Sequence, residues 1–219
     1  MSKRPLFIVL EGIDGSGTTT QGDVLAEALQ RSDYVVHRTS EPSHGEVGQL
    51  IRRALQHRTE SPLSAQAVAL LFAADRIDHC EREIGPSLAR GECVISDRYL
   101  ASSLAFQMVD GDRGFDLEWL RTINRRIIEP DISILIDVDI KTSARRIQAR
   151  GKSRERFEIE SFLAGVRERY HAIFADPSAG IGERVIIDGT RDKEMVAYDV
   201  VGAVMKVLGD QSGSSSADE

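Results

Sequence analysis

The sequence predicts an α/β domain built on a five-stranded, mainly parallel sheet with helices on both faces. Three observations carry this. Short β-branched runs alternate with stretches of helical periodicity along the chain. Residues 132–138 are almost continuously apolar, as in a strand covered on both faces. The first apolar run, residues 6–10, passes through a glycine-rich turn directly into helical spacing, and right-handed crossovers follow from that order.

Residues 6–10 read as the first strand, and Val24, Leu25, Ala28 and Leu29 mark the helix after it. Residues 34–38 read as the second strand. It exits through Thr39, Ser40, Glu41 and Pro42, because proline cannot lengthen a ladder. Val47, Leu50, Ile51, Ala54 and Leu55 then repeat at helical spacing. Ser61 before Pro62 predicts an N-cap with proline at the first helical position, opening a helix with Ala65, Val68, Leu71, Phe72 and Ala73. A further helix with Ile84 and Leu88 is expected to end at Gly91. Residues 93–96 form the next strand and run into Asp97, Arg98 and Tyr99. A helix-compatible stretch and a loop over residues 111–114 follow, and Leu117, Leu120, Ile123 and Ile127 predict a helix closed before Pro130. Beyond the strand at 132–138 lies a basic helix over residues 144–150. The pattern breaks at 151–155 and resumes as a helix through Phe162, Val166, Tyr170 and Ile173. The last strand covers residues 184–188, and the last helix runs to about Leu208.

At 219 residues the chain can bury a full core, and one domain over residues 1–208 is the simplest organisation. The tail, residues 209–219, is rich in Gly, Ser, Asp and Glu, which predicts disorder. A net charge of −7 argues against a surface that coats nucleic acid, while leaving room for a local basic site for a phosphorylated small molecule. Cys80 and Cys93 show no metal spacing and make a poor disulfide framework, which favours a reduced, cytoplasmic protein. No apolar run approaches a membrane span, and the early first strand leaves no room for a signal peptide.

In sheets of this kind ligands sit beyond the carboxyl ends of the strands. Four such ends are chemically loaded: the loop of Gly12, Ile13, Asp14, Gly15, Ser16, Gly17, Thr18 and Thr19; Glu41; Asp97 with Arg98; and the turn of Asp188, Gly189 and Thr190. The loop's glycines let successive N–H groups curl around an anion, and the helix behind it adds its own unpaired N–H groups. Its spacing is that of the phosphate-loop motif, except that Thr18 occupies the lysine position. Thr19 stands where that motif places a magnesium-binding hydroxyl. Asp97 can face it across the ion, and Arg98 offers a forked donor to a phosphate. An ordinary glycine turn and a surface Asp–Arg pair are the plainer alternatives.

Arg145, Arg146, Arg150, Lys152, Arg154 and Arg156 form the densest basic cluster. Arg146 and Arg150 share one helix face and repel each other by a few tenths of a kcal/mol, roughly, which a polyphosphate would relieve. Glu155, Glu158 and Glu160 also allow a plain solvated helix. The break at Gly151 predicts a mobile lid over about residues 145–158. Phe72 and Arg76 lie one helical turn apart. They suit either core packing or a ring that stacks on a base beside an arginine that reads its edge.

Taken together, these pieces resemble the thymidylate kinase family of phosphate-loop nucleoside-monophosphate kinases, over residues 7 to about 208. The matching residues are Glu11 through Gly17 with Thr19, Thr20 and Gln21; Glu41 and Pro42; Leu71 through Arg76; and Asp97, Arg98 and Tyr99 with Ser102, Ala105, Phe106 and Gln107. Arg150 and Gly151 leading to Arg156, Phe157 and Glu158 also match, as do Ile187 through Thr190. The resemblance implies a P-loop fold and ATP-dependent phosphorylation of dTMP to dTDP with Mg2+, by a homodimer. It implies that the loop residues Gly12 to Thr19 hold ATP phosphates and that Thr19 and Asp97 serve the metal. Asp14 then meets the dTMP 3′-hydroxyl, Phe72 stacks on thymine and Arg76 bonds its edge. Arg98 grips the acceptor phosphate, Ser102 and Gln107 face the base or sugar, and Glu41 and Arg52 belong to the same side. Asp188, Gly189 and Thr190 approach adenine.

Some members carry a catalytic arginine inside the loop and others in the lid. With Gly15 in the loop, the resemblance assigns this chain to the second kind, with Arg150 or Arg154 as the catalytic cation and Arg146 and Arg156 in support. Three departures stand out: Thr18 replaces lysine, Ser40-Glu41-Pro42-Ser43-His44 replaces Arg-Glu-Pro-Gly-Gly, and Glu155 replaces the usual aspartate. The first leaves two alternatives open. One is a nucleotide-binding or regulatory protein that has lost catalysis. The other is a kinase for another nucleoside or nucleoside monophosphate.

Overall fold

The computed structural model describes residues 4–56, 58–59, 61–110, 116–149 and 160–213. Its sheet has the order β2-β3-β1-β4-β5, and every pairing is parallel. The strands are β1 (Phe7–Glu11), β2 (Val36–Ser40), β3 (Cys93–Asp97), β4 (Ile132–Asp137) and β5 (Glu183–Asp188). Between them run α1 (Thr18–Arg31), α2 (Glu46–Leu55), α3 (Ala65–His79), α4 (Gly85–Ala89), α5 (Leu100–Asp110), α6 (Leu117–Asn124), α7 (Ile140–Ala149) and α8 (Glu160–Ala175). The helix α9 (Lys193–Gly213) follows β5.

The twofold alternation of a strand sorts the core onto two faces. Leu6, Ile8 and Leu10 pack with Leu25 and Leu29 of α1 and with Val196, Val200 and Val204 of α9. Phe7 and Val9 point the other way, to Leu104 of α5 and to Val166 and Tyr170 of α8. Each such side chain contributes about 1.5–3 kcal/mol when fully buried, so the two layers together hold the sheet between helices.

Boundaries moved where hydrogen bonding overrode periodicity. The second strand is 36–40, not 34–38, because the Tyr34 N–H caps α1 by donating to the Leu29 carbonyl (3.1 Å). The helix expected from Ser61 and Pro62 begins three residues later. Ser64 is the N-cap, its Oγ accepting from the Ala67 N–H (3.2 Å). α3 does not stop before the next helix but continues through a π-helical turn, Cys80–Ile84, into α4. Gly91 follows at φ +84°, the left-handed stop that its residue type predicted. α9 continues past Leu208 to Gly213, since none of those residues is a proline that would break the ladder. Part of the expected disordered tail is therefore helix, and residues 214–219 lie outside the described residues.

Gly182, at the entry to β5, sits at φ +68°, where a Cβ would lie 2.1 Å from the Pro130 carbonyl oxygen. Gly182→Ala is expected to lower unfolding stability by about 2 kcal/mol or more, read as a fall in denaturant midpoint at constant slope.

Candidate active site

The loop between β1 and α1 is shaped by backbone, not by side-chain charge. Gly15 and Gly17 adopt φ +77° and +102°, conformations that side chains other than glycine rarely take. Gly17 is the N-cap of α1 and offers no side-chain acceptor, so the first-turn N–H groups stay available to an anion. From the other side α7 braces the loop. The Ser143 Oγ donates to the Asp14 carbonyl (2.7 Å), and a Cβ at Gly15 would lie 2.8 Å from the Ser143 carbonyl oxygen. Arg146 donates to the carbonyls of Ser16 (3.1 Å) and Gly189 (2.9 Å), with a longer contact to Gly15. It thus bridges the loop to the turn of Asp188, Gly189 and Thr190. In this arrangement Arg146 is a brace and does not line the cavity over Thr18 and Thr19. The turn itself is tied by the Asp188 carboxylate, which accepts from the Thr190 N–H (2.9 Å) and Oγ1 (2.6 Å).

Thr18 and Thr19 open α1 and both line the loop cavity. The Thr19 hydroxyl donates to Asp97 Oδ2 at 2.5 Å, whereas the buried Asp97 Oδ1 has no protein partner among the described residues. A hydroxyl beside a carboxylate with a free oxygen fits Mg2+, which takes hard oxygen ligands and fills its octahedron with phosphate oxygens and water. Among the described residues, no group of three or more His, Cys, Asp or Glu side chains could hold a metal ion.

Arg98 stands between two cavities and lines both, as do Asp14 and Glu41. Its backbone is left-handed, at φ +70°. The Ser96 Oγ donates to its carbonyl (2.7 Å), and its own N–H donates to the Leu10 carbonyl (2.9 Å). Its guanidinium meets Asp14 Oδ1 at 2.5 Å and lies 4.9 Å from the centre of the Phe106 ring. Burial alone would favour the neutral form, but Asp14 above all keeps this arginine more firmly protonated than a free one.

The second cavity is an open cleft. Phe72 on α3 and Ser102, Phe106 and Gln107 on α5 line it. Both amide atoms of the buried Gln107 have no protein partner among the described residues, leaving its N–H donors and its carbonyl acceptor free. Arg76 also borders the cleft but is fully buried and heavily engaged. It donates to Glu41 (2.9 and 2.6 Å), to the Tyr99 carbonyl (3.2 Å), to Ser103 Oγ (2.6 Å) and to Asn124 Oδ1. Glu41 accordingly acts first as counter-charge to Arg76, with His79 Nδ1 3.3 Å from its other oxygen. Arg52 is directed elsewhere: both terminal nitrogens bond the carbonyls of Pro42 and Ser43, so it holds the loop after β2 and does not line the cleft. Arg150, Arg154 and Arg156 lie outside the described residues.

The sequence reading missed the groups that hold these side chains. Glu11 ends β1 fully buried, accepting from the N–H groups of Tyr99 (3.0 Å) and Ser102 (3.2 Å) and from Ser102 Oγ (2.5 Å). Burial pushes its carboxyl up, with Ser102, Arg98 and Tyr170 pulling the other way. Asn124 carried no signal in the sequence, and Tyr170 stood only as one position of a helical repeat. A buried-strand carboxylate such as Glu11 was the available signal, since burial of a charge demands partners.

The thymidylate kinase family model matches residues 10–200. The chain is 40% identical over 212 residues to a probable thymidylate kinase of Thermococcus kodakarensis, spanning 94% of this chain and 100% of that protein. It is 46% identical over 170 residues to a probable thymidylate kinase of Pyrococcus horikoshii, covering 76% and 82%. It is 41% identical over 203 residues to one of Pyrobaculum aerophilum, covering 92% and 97%.

This chain belongs to the thymidylate kinase family. A thymidylate kinase must bring two anionic nucleotides together, and the shared lining of the two cavities meets that need. The family's phosphate loop is present in shape, with Thr18 in place of its lysine. Among the residues lining the loop cavity, Arg98 is the side-chain cation.

The Arg76–Glu41 pair has side chains 1% and 2% exposed. Glu41→Ala leaves a buried guanidinium without its counter-charge, and unfolding stability is expected to fall by about 3–5 kcal/mol by equilibrium denaturation.

Proposed function

We propose that this protein transfers the γ-phosphoryl group of ATP to dTMP, giving ADP and dTDP, with Mg2+. The observation that carries the reading is the joining of a phosphate-loop cavity to a cleft lined by Phe72 and Phe106 through Asp14, Glu41 and Arg98. In-line transfer needs donor and acceptor phosphates on the two sides of one point, and a wall shared by two cavities suits that need. An oxygen of the dTMP phosphate attacks the γ-phosphorus, and the bond to the ADP oxygen breaks.

The roles follow from position. Backbone N–H groups of the loop hold the donor phosphates. Thr19 and Asp97 would hold Mg2+, which neutralises phosphate charge when bound. Arg98 holds the acceptor phosphate and Asp14 the sugar hydroxyl. Phe72 stacks on thymine, and Gln107 pairs its free donor and acceptor with the base edge. Arg76, held rigid by Glu41 and Asn124, presents its remaining N–H at the cleft wall. Ser102 supports the same face. The turn of Asp188, Gly189 and Thr190 serves adenine. The cation absent at Thr18 comes from the arginine-rich segment, Arg150 or Arg154 first, with Arg156, while Arg146 braces the loop. Phosphoryl transfer depends mainly on positioning and charge neutralisation, so a cation brought by another element serves as well as lysine.

The setting follows the same logic. A reduced, cytoplasmic location suits the two buried free thiols, Cys80 and Cys93. Among the described residues no helix is long and apolar enough to cross a membrane. A homodimer is proposed with it, and light scattering measures the mass directly.

Steady-state assay with ATP, Mg2+ and a panel of nucleoside and nucleoside-monophosphate acceptors tests the reading. dTMP is expected to give the highest kcat/KM; folded protein that binds dTMP without turnover would sink the proposal. Gln107→Leu is expected to raise KM for dTMP about tenfold with ATP KM unchanged. Thr18→Lys is expected to change kcat by less than about tenfold, because the charge is already supplied; a rise from zero would mean instead that catalysis had been lost with the lysine.

A further inference from the structure

Glu11 and Tyr170 contact each other but have no place in the mechanism above. Glu11 lies at the end of β1, and its carboxylate caps α5. It accepts the N–H groups of Tyr99 and Ser102, which at a helix start have no carbonyl one turn back. Between that cap and the Leu10 carbonyl the chain must pass through the left-handed residue Arg98. The direction in which Arg98 leaves the backbone is therefore set by where Glu11 sits.

Tyr170 fixes Glu11 from a different element. It comes from the middle of α8, is fully buried, and its hydroxyl lies 2.7 Å from Ser102 Oγ, 3.1 Å from Glu11 Oε2 and 3.4 Å from the Gly12 carbonyl. Its ring stands edge-on to Phe106, centroids 6.2 Å apart at 87°, and Phe106 lies under the Arg98 guanidinium. One side chain thus touches the phosphate loop, the α5 cap and the ring beneath Arg98.

We propose that Tyr170 is a positioning residue for the acceptor: through Glu11 and Ser102 it fixes the start of α5, and with it the Arg98 guanidinium that receives the dTMP phosphate. The inference rests on reading the cleft as the dTMP site. Tyr170→Phe removes the hydroxyl and keeps the ring against Phe106. Calorimetry with dTMP is expected to show binding weakened about five- to tenfold, with KM for dTMP rising in step and KM for ATP within about twofold of wild type. A purely structural role lowers the active fraction and leaves the dTMP affinity of the remainder untouched. Unchanged dTMP affinity overturns the inference, as does an equal weakening of both nucleotides. In either case wild-type turnover of dTMP leaves the proposed function standing. Wild-type protein that fails to bind dTMP overturns both. Should Tyr170→Phe be recovered unfolded, Glu11→Gln, which keeps an acceptor oxygen but removes the charge, is compared in the same two measurements with the same outcomes.

Discussion

Parallel pairing makes every strand of this sheet end at one edge, and the site is a consequence of that constraint. The register sharpens it. Leu10 of β1 and Ser40 of β2 both pair with Asp97 of β3, so the three residues that follow, Glu11 at the last position of β1 and Glu41 and Arg98 just beyond β2 and β3, stand at the same level. On the far side Asp137 pairs with Asp188, which brings the β5 turn level with α7 and its arginine. No loop has to travel far to reach this common edge. The helices on the two faces then need only supply bulk and an N-terminus.

Two carboxylates are buried at this edge, and each is answered in a different way. Glu41 faces the guanidinium of Arg76 and the ring of His79. Glu11 is answered by dipoles: two backbone N–H groups and two hydroxyls. A buried pair of opposite charges holds a cleft wall rigid without raising its net charge, while a carboxylate under a helix start leaves a negative field beneath Arg98. The loop side shows the reverse arrangement. There the positive field comes from peptide N–H groups, and Thr18 contributes a hydroxyl where the family has a charge.

Much of this was legible in the chain itself. Strand ends carrying Asp97-Arg98 and Asp188-Gly189-Thr190 advertise a parallel sheet with a loaded edge, and the glycine spacing of the loop fixes its left-handed turns. The faces of the helices followed from periodicity alone. What could not be read were contacts set by three-dimensional neighbours. Arg52 carries the charge expected of an acceptor site, yet two backbone carbonyls of its own loop claim it first. Arg146, paired with Arg150 on one helix face in a cluster of six basic residues, read as a support for the catalytic cation; only the approach of α7 to the β5 turn gives it carbonyls to bridge. The partners of Arg76 come from three separate segments, at 41, 99–103 and 124, and no spacing along one strand or helix encodes such a meeting.

The brace between α7 and the loop ties two strand exits to one side chain. Arg146 donates to the carbonyls of Ser16, after β1, and Gly189, after β5. A guanidinium is planar and holds its acceptors in a fixed fork. A displacement of either exit is therefore carried to the other, and the loop and the β5 turn shift as one unit.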